Sequence, residues 1–565
     1  MNKQYIEVAN GSKMADLVLK NGNIINVFSE EIICKDIAIV NDTIVGIGEY
    51  QGKVEIDCSG KYLSPGFIDA HMHIESTMVT PLELAKKIIK KGTTTIIADP
   101  HEIVNVAGKT GLDYILDACK KSPINTYIMV PSCVPASDID VNGAGEFSAS
   151  DMQPYLSNPH ILGLGEVMRY HDIINANENI LSKIKLFSNR IIDGHAPRIT
   201  QKEVQAYRVA GINNDHECES VDEALEKLRA GLNIYIREGS AAKNLDILLK
   251  GLLDAKVSLE NCCFCTDDKH LADIDEKGHI NYCIKKAIDL KTPIVKAFKM
   301  ATYNTAKVLK IDNIGAIGAG YQADIVVLDS LDNLEPTMVI KSGQIVDDKF
   351  LNSFQEEKVN KTLLNSVVFN NISSSDLVVE RFTKNHVIEL CPYSIITKHL
   401  YETIPGENNV FIPNEAYSKF CVVERYNKTK NISCCALKGY NIKDGAIATS
   451  VSHDSHNIIA VGDNDSDLSK AINELKKIQG GYVIVNNGKV TSLPLKIGGL
   501  MSLDNANNVQ TITEDMIALA RKMNVSKSVD PFITLSFISL AVLPEIRLLE
   551  AGLYDVEKEN FIKEK

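Results

Sequence analysis

The chain has no tryptophan, and its aromatic residues amount to only 6%. That leaves little of the stacking surface on which single-stranded nucleic acid is held. A basic run is also missing: 60 Lys and Arg stand against 73 Asp and Glu, a formal net charge of −13. This balance argues against a phosphate-backbone partner, so no nucleic acid is expected. Long apolar runs are absent too. The longest, at 532–543, carries Thr534, Ser536 and Ser539 and stops at Pro544. It falls short of the roughly 20 residues a bilayer crossing needs, so it is expected in a buried core and no membrane partner is expected. The opening Met1-Asn2-Lys3-Gln4-Tyr5-Ile6-Glu7 lacks the apolar centre of a signal peptide. Thirteen cysteines follow no framework, which fits a reducing, cytoplasmic setting. The Cys262-x-x-Cys265 pair has no second pair to complete a thiolate site, and it is expected as small apolar strand residues.

What the chain does have is length and pattern. With 565 residues, 45% of them hydrophobic, two to four domains with ample core are expected. Residues 1–64 alternate as short strands joined at Asn21-Gly22 and Asn41-Asp42 turns, a small β unit. From Pro65 the texture changes. Apolar runs ending in polar residues alternate with helical stretches such as Pro81–Lys91 and Val221–Ala230. The runs are Gly66–His73, Thr93–Asp99, Thr126–Pro131, Ile161–Glu166, Ile191–His195, Ile212–His216, Leu232–Glu238 and Cys262–Asp267. Eight strand-then-helix units predict an α/β fold, a (β/α)8 barrel of the TIM type over 65–311, with its chemistry at the carboxyl ends of the strands. Helices are expected over Ile280–Leu290 and Val295–Leu309. Turn-and-strand texture then returns at 312–350, and both flanks of the barrel are expected to build one small β-sandwich domain. A polar linker at 351–365 leads to a separate C-terminal α/β or α+β domain over 366–565.

The strand ends carry the chemistry. His71 and His73 stand two apart, so they share a face of an extended strand. Glu166, His195, His216 and Asp267 end later runs. Four imidazoles and two carboxylates suit one or two first-row divalent ions, and a bridging carboxylate would hold a pair. Two cations sharing a water lower its pKa enough to give hydroxide near neutral pH.

On these residues the chain resembles the amidohydrolase superfamily. Its signature is H-x-H on the first strand, a carboxylate bridge on the fourth, His on the fifth and sixth, and Asp on the eighth. Many relatives bridge with a carboxylated lysine. Here Gly163-Leu164-Gly165-Glu166-Val167-Met168 has none, and a glutamate bridge resembles the adenine deaminase branch. Asp99-Pro100-His101-Glu102, Asp193-Gly194-His195-Ala196-Pro197, Arg237-Glu238-Gly239-Ser240-Ala241-Ala242 and Thr266-Asp267-Asp268 are similar to that branch. Ser452-His453-Asp454-Ser455-His456-Asn457 and Thr534-Leu535-Ser536-Phe537 resemble its C-terminal domain. The resemblance implies hydrolytic deamination of adenine to hypoxanthine and ammonia by a metal-bound hydroxide attacking C6. It implies a dinuclear Mn²⁺ site, with Fe²⁺ or Zn²⁺ in its place as the other choices, and a homo-oligomer. Metal ligands would be His71, His73, Glu166, His195, His216 and Asp267. Asp267 would also shuttle the proton from the water to the leaving amine. Glu238 would contact the purine or protonate N1, with Arg237 and Ser240 in the substrate pocket, and His101 and Glu102 would line that pocket or bind a further ion. His453, Asp454 and His456 would face the site from the C-terminal domain.

Three rivals are weaker. The zinc nucleobase deaminases use H-x-E with a later P-C-x-x-C. His73-Ile74-Glu75 fits the first part, but Asn261 precedes Cys262 and the other strand-end ligands would stand idle. A cyclic amidase or N-acyl hydrolase on the same barrel is not excluded by fold, but the glutamate bridge and the long C-terminal region favour a deaminase. A non-catalytic scaffold would have lost ligands, and this chain keeps all six.

Overall fold

The computed structural model describes residues 3–240 and 242–563. At its centre is a barrel-like α/β domain. A curled parallel sheet runs in the order Ile191–Gly194, Ile161–Val167, Asn125–Val130, Thr93–Ala98, Phe67–Met72. A second parallel sheet holds Asn214–Asp215, Asn233–Arg237 and Cys262–Cys265. Backbone bonds join the two sheets at both edges. Asn213 N donates to Ile192 O at 3.0 Å, and Asp267 N to His71 O at 3.0 Å. Ile68, Ala70, Ile97, Met129, Ile191, Tyr235, Cys263 and Cys265 meet in one apolar cluster. The three cysteines of Cys262–Cys265 are buried strand side chains, Cys263 and Cys265 in this cluster and Cys262 in the one that holds Phe264.

The helices follow local rules. Pro81–Lys90 starts with the Thr80 side chain accepting from Glu83 N and proline in its first turn. It buries Leu84, Ala85, Ile88 and Ile89, the stripe a 3.6-residue period predicts. The single helix expected over Val295–Leu309 is two, Ile294–Met300 and Tyr303–Val308. The break has a physical reason: the carbonyl of Ala301 accepts from Ile68 N at 2.8 Å, on the first barrel-like strand.

Both flanks of this domain contribute to an eight-stranded sheet. Ile325–Leu328 pairs antiparallel with Tyr62–Pro65, which lies beside Ala15–Asn26. Asn21-Gly22, expected as a turn, is instead a bulge inside the continuous strand Ala15–Asn26, where the register shifts. Asn21 has φ +56°, and a Cβ on Gly22 would lie 2.3 Å from Leu63 Cδ1, so the glycine lets the neighbouring strand close in. The Asn41-Asp42 turn is present between Glu31–Val40 and Thr43–Gly48.

The C-terminal region holds another eight-stranded sheet, mixed in sense, with Tyr417–Val423, Ile458–Gly462 and Gly445–Thr449 at its middle. Asp465–Ile478 packs across it. This helix is capped by Asn464 accepting from Asp467 N at 2.8 Å, and it buries Leu468, Ala471, Ile472 and Leu475. Ile533–Ile538 is buried, as its apolar run suggested. Among the described residues, no helix is long and apolar enough to cross a membrane.

Candidate metal centre

Glu166, near the end of Ile161–Val167, is buried at the middle of five imidazoles. Its Oε1 lies 3.4 Å from His73 Nε2, 3.9 Å from His71 Nε2 and 3.2 Å from His101 Nδ1. Its Oε2 lies 2.6 Å from His195 Nδ1 and 3.2 Å from His216 Nε2. Each oxygen thus faces its own set of nitrogens. Asp267 closes the Oε1 side, with Oδ1 3.0 Å from His73 Nε2 and 3.6 Å from His71 Nε2. The six residues expected as ligands are brought together, and their donor atoms group as potential cation holders.

Local structure explains the convergence. The lack of a side chain on Gly165 is essential, because a Cβ there would sit 2.3 Å from Asp99 Oδ2. That oxygen instead accepts from Glu166 N at 2.8 Å and fixes the strand end. His73 Nδ1 bonds to Asp99 O at 2.9 Å, which turns Nε2 toward the cluster. Tyr207 donates to Val167 O and accepts from His195 N, both at 2.9 Å, tying two ligand-bearing loops together. Fully buried Lys227 reaches Ala196 O, Asp215 Oδ1 and Glu223 Oε1 at 2.7–2.9 Å, next door to His195 and His216. Asp267 itself has φ +56°, a left-handed conformation uncommon outside glycine and concentrated at functional positions.

The electrostatics are those of a cluster built around positive charge. Burial raises the Glu166 carboxyl, but the imidazoles, His195 foremost, outweigh it and hold it well below the usual carboxylate range. Arg237, with His71 and His73, does the same for Asp267 against its burial. Burial and His101 push His73 down, yet Asp267 and Glu166 carry it to about 10. Both ring nitrogens of His71 and of His216 are buried with no hydrogen-bond partner. Buried imidazoles lacking hydrogen-bond partners, ringed by carboxylates, fit divalent cations better than a hydrogen-bonded core, since buried polar groups are otherwise paired.

Other expected residues fall in different places. His101 belongs to the cluster itself, between Glu166 and Glu102. Arg237 adjoins it: its Nη1 donates to Asp267 Oδ2 at 2.8 Å, and the guanidinium also grips Glu217. Glu238, expected at the purine, is turned elsewhere. Its Oε1 accepts from Lys286 Nζ at 3.0 Å, because strand alternation puts it on the face opposite Arg237. The Ser240 hydroxyl donates to Asp273 at 2.5 Å and accepts from His270 N at 2.9 Å, bracing the start of the helix Leu271–Glu276; Ala241 of the same motif lies outside the described residues. His453 and His456 reach over from the C-terminal region, each in direct contact with a different oxygen of Glu102.

Sequence reasoning missed Glu217 and Lys227, and it gave no role to Asp99 or to Asp193, whose Oδ2 lies 3.8 Å from His71 Nδ1, although both stand in motifs it singled out. Glu217 is 3.5 Å from His216 and 3.7 Å from His195, and Arg237 keeps it ionised against its burial. Its position directly after His216 was the signal available.

Imidazoles and carboxylates gathered at the strand ends of a barrel-like α/β domain define a metal-dependent hydrolase of the amidohydrolase class. In agreement, residues 62–346 match the amidohydrolase family model, and residues 394–560 match the adenine deaminase C-terminal domain. The chain is 46% identical over 560 residues to an adenine deaminase of Desulfitobacterium hafniense (strain Y51), covering 98% of this chain and 97% of that one. It is 43% identical over 569 residues to one of Clostridium acetobutylicum, covering 99% of each. The chain belongs to the adenine deaminase family. A crystal structure of an adenine deaminase aligns at 16% identity with a TM-score of 0.44, covering 59% of this chain and 100% of that one.

Proposed function

We propose that the chain hydrolyses adenine at C6, giving hypoxanthine and ammonia. The observation that carries this reading is Glu166, which presents one oxygen to each of two imidazole sets in a chain that matches adenine deaminases end to end. We assign His71, His73 and Asp267 with Glu166 Oε1 to one cation, and His195 and His216 with Glu166 Oε2 to a second. A His and carboxylate donor set admits Mn²⁺, Fe²⁺ or Zn²⁺, and Mn²⁺ is our choice. When bound, such ions supply Lewis acidity and lower the pKa of water to near neutrality.

The protein's own groups do the rest. Asp267 is aimed by Arg237 on one oxygen and faces His73 with the other. It takes a proton from the water that adds to C6 and passes it to the exocyclic nitrogen. The C–O bond is formed, the C–N bond breaks and ammonia departs. A small cavity bordered by Ser76, Asp268, His270, Glu102 and Phe537 lies on the Asp268 side of the cluster, and we take that side as the purine's direction of approach. Glu238, held by Lys286, is given no step in this scheme.

The same reading treats the two parallel sheets as one closed (β/α)8 barrel over 65–311, supported by the edge bonds of Asn213 and Asp267. It takes 1–64 with 312–350 as a β-sandwich unit and 366–565 as the C-terminal domain. The test is a substrate panel on Mn²⁺-loaded protein: adenine, cyclic amides and N-acyl amino acids. Release of ammonia and hypoxanthine from adenine alone is expected. Turnover of a cyclic amide or N-acyl substrate, with adenine untouched, would overturn the assignment.

A further inference from the structure

Beside the cluster around Glu166 lies a second group of ionisable side chains to which the scheme above gives no chemical step. It sits at the seam between the barrel-like domain and the C-terminal region. His101 and Glu102 open the helix His101–Ala107, and Asp454 comes from the loop between Gly445–Thr449 and Ile458–Gly462. All three are buried, Asp454 at 5% exposure.

Their distances are informative. His101 Nε2 lies 3.6 Å from Glu102 Oε1 and 3.9 Å from Asp454 Oδ1. Both are too long for hydrogen bonds. They match donors sharing one ion: two ligands each 2.0–2.6 Å from a cation stand roughly 3–4 Å apart. Asp454 Oδ2 is buried with no hydrogen-bond partner, and so is Oε2 of nearby Glu75. Both oxygens of Glu102 are meanwhile occupied by His453 and His456, which fix its orientation without relieving Asp454. Unpaired carboxylate oxygens so deeply buried are costly unless a cation or a hydrogen bond answers them.

His101 separates this group from the first. Its Nδ1 faces Glu166 at 3.2 Å and its Nε2 faces the seam. One imidazole therefore stands between two carboxylate groups, Nδ1 toward Glu166 and Nε2 toward Glu102 and Asp454.

We propose that His101 Nε2, Glu102 and Asp454 form a further divalent-cation site, separate from the pair assigned to Glu166. Two of its ligands come from the barrel-like domain and one from the C-terminal region, so the ion pins the 452–457 loop over the metal centre. The donor set of one imidazole and two carboxylates suits Mn²⁺ or Zn²⁺ over an alkaline-earth ion, which prefers oxygen alone.

The test is a count by difference. The full-length wild type and Asp454→Asn are stripped, dialysed to equilibrium against saturating Mn²⁺, and assayed for metal per chain. Asp454→Asn is nearly isosteric, and its circular dichroism is checked against wild type. The site predicts one Mn²⁺ fewer per chain in the variant. It also predicts, in crystals of the wild type grown with Mn²⁺, an anomalous-scattering peak within coordination distance of both His101 Nε2 and Asp454. Equal metal content in the two proteins, or anomalous peaks confined to the surroundings of Glu166, would overturn the proposal. Because the ion is counted between Asp454→Asn and its parent, a failure of the Glu166 pair would show separately, as missing peaks at Glu166.

Discussion

The strand ends of the barrel-like domain and the core of the C-terminal sheet both bury charged side chains, and they treat them in opposite ways. In the C-terminal region, Lys419 donates to Leu377 O at 2.9 Å and to Asp465 at 2.6 Å. Arg547 is surrounded by Leu543 O, Pro544 O and Thr397 Oγ1. Their hydrogen bonds are made within the fold, and such groups stabilise structure. At the strand ends, His71 and His216 have no hydrogen-bond partner on either ring nitrogen. Burial alone does not mark a site; a converging set of unpartnered imidazoles and carboxylates does. Arg425 is an exception in the C-terminal region: its Nη2 donates to Gly498 O at 2.9 Å, but its Nε and Nη1 are unpartnered. Its backbone N is bound to Asn457 at the end of the loop that reaches the metal centre.

Predictions can break this contrast. The largest effect is expected from stripping metal with a chelator, which removes adenine turnover entirely and leaves far-ultraviolet circular dichroism near that of the loaded protein; turnover surviving in metal-free protein would erase the distinction. Next is Lys227→Met. It leaves Asp215 buried without its cation beside His216, a loss of about 3–5 kcal/mol, read as a lower denaturant midpoint together with a fall in metal content. Tyr207→Phe should be milder. Without the hydroxyl that links Val167 O to His195 N, metal affinity drops about 10–100-fold, as for other groups that orient ligands, measured by Mn²⁺ competition with a chelating dye. Lys419→Met is the smallest for function. It costs about 1–3 kcal/mol of stability and leaves kcat/KM for adenine unchanged, so a large activity loss there would deny that the C-terminal sheet and the site are energetically distinct.

Much of this was legible in the residues. Most of the barrel-like strands were visible because their apolar runs are buried, the two-residue Asn214–Asp215 being the exception, and each of the six ligands stands at or just past a strand end, where side chains converge. The Asn21-Gly22 bulge and the break at Ala301 were not legible, because each depends on a partner strand distant in sequence: Leu63 in one case and Ile68 in the other. The pairing of Glu238 with Lys286 was not legible for a different reason. Strand alternation sends Arg237 to the centre and its neighbour to Lys286, and the motif alone does not say which of the two faces inward. Lys227 was invisible for yet another: a lysine on an amphipathic helix is ordinarily solvated, and only the fold shows it fully enclosed by Asp215 and Glu223. Glu102 gained its meaning only when His453 and His456, some 350 residues later, were seen against it.

The central claim is that Glu166 joins two cation-binding halves of one deamination site. Its most direct test is titration of metal-free wild type and Glu166→Gln with Mn²⁺ while following hypoxanthine formation from adenine. The account predicts turnover that rises with added Mn²⁺ in the wild type and falls by at least about 10³-fold in the variant, a loss of several kcal/mol of transition-state stabilisation. A Glu166→Gln protein that binds as much Mn²⁺ as wild type and deaminates adenine as fast would contradict it.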